Sequence, residues 1–352
     1  MIAIARIRRM VLRPELASVA GCAVAFIYFT LATPLFLSKD TFVPATSLAA
    51  QYGMVAVGVT LLMIGGQFDL SVGAIVGLTG WSLYFFGDAS QMNMRPELAI
   101  LFALGFGTLL GLVNGILVVR TGLASFIVTL ATSMVFRGWL TMNTSGFPVV
   151  VRFPKEYSDI LSGTNLFGFR TSVLWFVLAA LIATWFLLRT RTGNWTFAIG
   201  QNANAARNLG VPVQRTTVML FAISGFTAAL AGVIVASQYS SIDANRGVGW
   251  ELYAIAIAVI GGTLLTGGYG SVIGAVLGAL FYAVVEGGLV LIGLQGYWVN
   301  ISLGVALILA VLVNRIIVSK VMASPERVPL DQPNPPRGTV GEDFEPQGRP
   351  VA

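Results

Sequence analysis

Residues 61–78 read LLMIGGQFDLSVGAIVGL: one apolar run stops at Gly65-Gly66, a carboxylate follows at Asp69, and a second apolar run begins after Ser71. A carboxylate is costly in hydrocarbon unless a helix start or a partner receives it, so this pattern reads as one membrane helix ending and another beginning. Asp69 is placed to accept from the free N–H groups of the following helix's first turn, whose dipole favours a negative charge. The expectation is a helix start at or just inside the membrane boundary, with glycines that let neighbouring backbones approach closely.

The rest of the chain has the same character. Its 352 residues are 56% hydrophobic and 10% charged, and its mean hydropathy is +0.82; soluble domains carry roughly 25% charged residues. Apolar stretches of about 18–23 residues, long enough to cross a hydrocarbon core as helix, recur along nearly the whole sequence. They predict spans near 16–36, 47–65, 70–87, 98–119, 124–141, 172–189, 215–237, 251–266, 271–292 and 297–315. The expected fold is an all-α polytopic membrane protein of about ten transmembrane helices, several broken by glycine. The eighth span is short and interrupted in IAIAVIGGTLLTGGYGS (255–271), so eight or nine full crossings form the alternative.

Lys and Arg concentrate in alternate connections and the tail: Arg6, Arg8, Arg9, Arg13, Arg120, Arg189, Arg191, Arg207, Arg215, Arg315, Lys320, Arg327, Arg337 and Arg349 fall on one side, Lys39, Arg95, Arg152, Lys155, Arg170 and Arg246 on the other. The positive-inside rule then sets both termini in the cytosol. The resulting division is a basic cytosolic N-terminus (1–15), a transmembrane domain (16–318) with a cytosolic loop at 190–214 and an external segment at 142–171, and a proline-rich, disordered cytosolic tail (319–352). The external segment is expected to form a short hairpin or an amphipathic piece. The apolar run after MIAIARIRRMVLRP is too long for a signal-peptide core and reads as an uncleaved span. The formal charge of +6 belongs to topology and contact with anionic lipid, not to nucleic-acid binding.

The chain has no histidine, which excludes His-based metal sites and triads, and its single cysteine, Cys22, forms no internal disulfide. No Walker A motif occurs, and none of the lysines precedes Ser or Thr. Energy for any transport must come from a partner or an ion gradient. A carrier would need ionisable groups deep in its spans. Asp69, Glu251, Glu286 and Arg137 are the candidates, all placeable near helix ends, with Arg137 read as a snorkelling cation.

In the 190–214 loop, Asn202 can cap a helix of about two turns, ANAARNL (203–209), which Gly210 and Pro212 stop. A helix that short needs support from neighbours. It is either a docking site or a turn joining two spans. Glycines at 107, 111 and 115, and at 270, 274 and 278, form rows at four-residue spacing that suit helix packing within the chain. Asn114 beside the first row can bond across helices or face a pathway.

Four segments in order, GGQFDLSVGAIVGL (65–78), NGILVVRTGLASFIVTLATSMVFRG (114–138), FAIGQNANAARNLGV (197–211) and ELYAIAIAVIGGTLLTGGYGSVIGAVLGAL (251–280), resemble the ribose/xylose/arabinose-type ABC sugar transporter permeases. The resemblance covers roughly residues 45–315. It implies a non-enzymatic permease subunit of the bacterial cytoplasmic membrane, paired with a second copy as homodimer or heterodimer. It also implies a cytosolic ATPase partner that binds ATP-Mg, so that this chain needs no cofactor, and an extracytoplasmic sugar-binding protein. On the same basis the 201–210 segment is a coupling helix, with Asn202, Ala205, Ala206, Arg207, Asn208 and Gly210 as its contact residues. Polar and glycine positions at the helix breaks, Gln67, Asp69, Ser71, Asn114, Gly261, Gly262, Thr263 and Thr266, are the candidates for the pathway or its gate. The family pattern usually reads GGIDLSVG, and Gln67-Phe68 departs from it. An ion-coupled carrier for a small polar solute is the rival reading, and Asp69 is either a helix cap or a sugar contact.

Overall fold

The computed structural model describes residues 14–164, 168–294 and 296–322. Among these, helices account for nearly all the regular structure: α1 (Pro14–Ala32), α2 (Lys39–Ile64), α3 (Val72–Gly87), α4 (Pro96–Thr121), α5 (Ser125–Thr144), α6 (Lys155–Ser162), α7 (Thr171–Arg189), α8 (Arg191–Asn208), α9 (Val213–Tyr239), α10 (Trp250–Ile260), α11 (Val272–Leu291) and α12 (Gly296–Met322). Two two-residue strands, β1 (Val149–Val150) and β2 (Ser241–Ile242), pair antiparallel. Seven helices, α2, α4, α5, α7, α9, α11 and the Gly296–Asn314 part of α12, are long and apolar enough to cross a membrane. Three shorter apolar helices accompany them at Ser18–Ala32, Val72–Gly87 and Trp250–Ile260.

The helices divide by how much of each the bundle buries, not by how apolar each is. The second half of α2, α3 and most of α9 are sealed from solvent and form the centre, whereas α5, α7 and α12 expose broad apolar faces at the rim. A helix hydrophobic all round is stable only in such a core or against lipid. The row Gly107, Gly111, Gly115 on α4 faces α9: a methyl on Gly111 would meet the Gly225 backbone, and one on Gly115 would lie 2.9 Å from the Val218 Cα. Without a water-driven hydrophobic effect between lipid-bathed helices, such close backbone packing supplies the attraction. The second row faces α10, where Gly274 abuts Gly261 and Gly278 abuts Ile257.

The structure departs from expectation at several bounds. The eighth predicted span is helical only over Trp250–Ile260, because Gly261-Gly262 ends the helix and residues 261–271 run irregularly to α11. Residues 191–201, read as loop, are helical: Thr190 is extended (φ −108, ψ 155), ends α7 and starts α8 as a separate helix, its Oγ1 accepting from Gly193 N. The 142–171 segment supplies β1 and α6, but its strand pairs with 241–242 rather than folding into a hairpin of its own. α12 continues to Met322, into the segment expected to be a disordered tail. Residues 1–13 of the basic N-terminus and 323–352 of the tail lie outside the described residues.

Candidate functional site

The break between α2 and α3 turns the chain back into the bundle. After Ile64, Gly66 adopts φ +75 and Gln67 N donates to Leu62 O at 3.1 Å. Phe68 N then donates to Ser125 Oγ and Leu70 N to Thr129 Oγ1, both at 3.0 Å, which pins the break to α5. Asp69 is fully buried. Its Oδ1 accepts from Ser71 N at 2.9 Å and Ser71 Oγ at 2.6 Å, and its Oδ2 from Ser224 Oγ at 3.1 Å. Asn114 Nδ2 donates to Ser71 Oγ at 2.7 Å. Three of the expected pathway residues, Asp69, Ser71 and Asn114, thus form one sealed network with Ser224, a residue that nothing in its own segment marks out. Two details differ from expectation. Asp69 bonds the N–H of Ser71, ahead of the helix, and not those of the first turn. It also sits at the level of Ser224, about 16 Å along α9 from Val213, well inside the bundle.

A second constellation lies at the 190–214 end, where three glycine-bearing turns meet backbone to backbone. Gly268 N donates to Ile64 O at 2.8 Å. A methyl on Gly200 would collide with Ile64 O and Gly268 N, and one on Gly267 would lie 2.8 Å from Gly66 Cα. Gly267 also has φ +79, which a side chain disfavours. The α2–α3 break, the α10–α11 break and the middle of α8 therefore touch at one junction. Gly261, Gly262 and Thr263 are sealed around it and Thr266 is exposed.

One residue beyond the junction, α8 is kinked: Asn202 is extended (φ −161, ψ 101), and its Oδ1 accepts from Asn204 N at 3.1 Å and Ala205 N at 3.0 Å. That is N-cap geometry for a new helix. Val211 N donates to Ala206 O and Gly210 N to Arg207 O, closing the helix at its other end. Asn202, Ala205, Arg207, Asn208 and Gly210 are exposed, and so is Leu209 at the tip, at 84%. Ala206 faces inward at 2% exposure, so of the expected contact residues it alone packs against the bundle. Arg207 and Gln67 share a cavity of about 420 Å³ with Gln214 and Thr217.

The third feature escapes sequence reading. Gly73, Gly77 and Gly80 lie on one face of α3, and the chain from Ile242 to Gly247 runs down that face: a methyl on Gly80 would meet Ile242, one on Gly77 would lie 2.9 Å from Arg246 O, and one on Gly73 would collide with Gly247 O. At 1.5 Å per residue, Gly73 is about 21 Å along α3 from Gly87. Arg246, read as a residue of an outer connection, and Glu251, read as standing at a helix end, are therefore carried deep into the bundle, and α10 starts there. Arg137 follows them. It does not snorkel toward a helix end but turns inward, Nη1 donating to Arg246 O at 2.6 Å. Glu286 likewise lies within α11, not at its end. The signal for the inward turn was present in the GxxxGxxG spacing of α3, which leaves a groove wide enough for extended backbone.

Residues 41–313 match the family model described as "Branched-chain amino acid transport system / permease component". The chain is 34% identical over 302 residues to the ribose import permease protein of Bacillus subtilis, covering 86% of this chain and 92% of that one. It is 31% identical over 304 residues to the ribose import permease protein of Escherichia coli K12, covering 85% and 93%. It is 34% identical over 294 residues to an autoinducer 2 import system permease protein of Enterobacter sp. strain 638, covering 84% of each. The apolar bundle and its glycine-broken helices accord with these likenesses, and the chain belongs to the branched-chain amino acid transport system permease component family.

Proposed function

We propose that this chain is the membrane-spanning permease subunit of an ATP-binding cassette importer, carrying a monosaccharide or related polyol across the bacterial cytoplasmic membrane. The relatives named as ribose and autoinducer 2 import permeases support that substrate class. In this reading all ten apolar helices take part in crossing the membrane, and both termini and the 190–214 end face the cytosol. A cytosolic ATPase subunit binds ATP-Mg, a separate extracytoplasmic protein delivers the sugar, and a second permease copy completes the pathway. The chain itself is not an enzyme.

The observation that carries the proposal is the exposed helix 203–208, capped by Asn202 and seated one residue from the junction of both helix breaks. A rigid element at that place can hand a push from the ATPase to two interruptions of the membrane helices at once. The cytosolic cavity between Arg207 and Gln67 gives the partner a neighbouring recess. The carrier reading draws less support: both oxygens of Asp69, its best-placed acid, are already taken by protein donors, which leaves that carboxylate little to offer a coupling ion.

Reconstitution with the ATPase subunit and the binding protein tests the proposal. D-ribose uptake should require ATP and survive collapse of proton and sodium gradients. Arg207→Glu should abolish it and weaken co-purification of the ATPase while the permease stays inserted. Ion-driven uptake by this chain alone would restore the carrier.

A further inference from the structure

The inward-turning segment 243–251 has no place in the coupling mechanism, yet it brings an unusual concentration of charge into the bundle. Asp243 and Arg246 form an ion pair at 3.3 Å, and the Arg246 guanidinium lies 4.9 Å from the Tyr239 ring. Arg137 reaches in from α5 to the Arg246 carbonyl. Glu251, the second residue of α10, converges on the same spot from the other side. A methyl on Gly73 would collide with Glu251 Oε2 and lie 3.2 Å from Arg137 Nη2.

Two atoms of this cluster are buried without a hydrogen-bond partner: Glu251 Oε2, an acceptor, and Arg246 Nε, a donor. Leaving either unpaired incurs the full desolvation penalty of a charged group. Irregular backbone and charge at membrane depth persist where they are buried and paired within protein or line a water-filled route, and the two unpaired atoms here are not accounted for by pairing within the protein. Asn245, Val248 and Leu252 on the same stretch are exposed, so the segment borders open space on one side and the sealed face of α3 on the other.

We propose that segment 243–251, with Glu251 as acceptor and Arg246 and Arg137 as donors, is the permease's own sugar-contact site, taking a polyhydroxyl ring as it passes. A hydroxyl group donates and accepts at once, so vicinal hydroxyls answer an orphaned carboxylate oxygen and an orphaned guanidinium N–H together. The site rests on the importer reading above and names where the sugar is recognised within it.

The test uses the full permease in proteoliposomes with its ATPase and binding protein, and D-ribose, D-xylose and L-arabinose as probes. Glu251→Gln should slow uptake of the best-carried sugar about tenfold, the loss of one charged hydrogen bond. It should also change the ratio of rates among the three sugars, while the detergent melting temperature stays at the wild-type value. Arg246→Lys, which keeps the charge and loses Nε, should change the ratio in the same sense and serves if Glu251→Gln does not accumulate. In a Cys22→Ala background, D-ribose should protect a Val248→Cys thiol from a membrane-impermeant maleimide. Unchanged ratios in a well-folded variant, together with no protection, overturn the site and leave the importer standing. Absence of ATP-dependent uptake of any sugar by wild type overturns both.

Discussion

Asp69 and Glu251 occupy matching places. Each is an acid at the start of a short helix that begins inside the bundle, α3 and α10, and the two starts touch where Gly73 meets Gly247. Their chemistry is opposite. Both oxygens of Asp69 are bonded, to Ser71 and Ser224, whereas Glu251 Oε2 has no partner. A carboxylate with both oxygens bonded holds a fold, and one with an oxygen left unpaired has a bond still to make. The pair teaches that intramembrane charge cannot be assigned a role by position alone; the occupancy of its hydrogen bonds decides.

The largest expected effect breaks the filled partner. Asp69→Leu strips the acceptor from Ser71 N, Ser71 Oγ and Ser224 Oγ in a sealed site, and should cost about 3 kcal/mol or more of stability at about 1–3 kcal/mol per orphaned group. Thermal unfolding in detergent measures it; a melt within a degree of wild type would contradict the structural role. Asp69→Asn keeps one acceptor and turns its amide toward a hydroxyl that can also accept, so the cost should fall to about 1 kcal/mol. Uptake should persist. A well-folded but inactive Asn variant would erase the contrast with Glu251 and bring the Asp69 charge into transport.

Between these in kind, Asn202→Ala removes a cap on the water side, with an expected loss of about 1 kcal/mol of local helix stability. Hydrogen exchange over 203–208 reads it directly. Protection equal to wild type would mean that packing of Ala206 alone holds the helix.

The smallest effect comes from a third acid that repeats the Asp69 turn near the surface. Asp88 Oδ1 accepts from Ser90 N at 2.8 Å and Ser90 Oγ at 2.6 Å, the same D-x-S arrangement just past the end of α3. Those two bonds, with Arg152 nearby, hold the Asp88 carboxyl below its ordinary range. A depressed folded value means that the stabilisation is present above the ordinary value and is lost as pH falls below about 4 through the folded one. The melting difference between wild type and Asp88→Asn should therefore shrink on acidification. A difference that grows would reverse the assignment.

Much of this was legible in the chain. Apolar length located the long apolar helices, because lipid leaves few alternatives to a hydrogen-bonded helix. The Asn202 cap and the glycine stop at 210 were readable from local chemistry, as was the inward role of the Gly107 row. What escaped depends on contacts distant in sequence. Residues 191–201 look polar enough for a loop and are helical from a fresh start, capped by the Thr190 hydroxyl and packed against the bundle through Thr196 and Ile199. Arg137, Arg246 and Glu251 read as boundary charges, because charge ordinarily marks where a span ends. Only the groove of Gly73, Gly77 and Gly80, in a helix about 170 residues earlier, draws them in. The three-way contact of Gly66, Gly200 and Gly267 is equally invisible, since each glycine alone suggests only a turn.

The two-residue seam between β1 and β2 has a mechanical consequence. Val149 pairs with Ile242, and Val151 N donates to Ser240 O at 2.9 Å, so the segment leading to α6 is stitched to the chain immediately before Asp243. Antiparallel backbone bonds of this kind resist shear along the strand far better than a loop of the same length transmits force. Whatever leans on residues 149–162 pulls on a short tether whose other end carries Arg246 and Glu251. A visitor at the rim can thus tug on charges some 20 Å beneath it without ever reaching them.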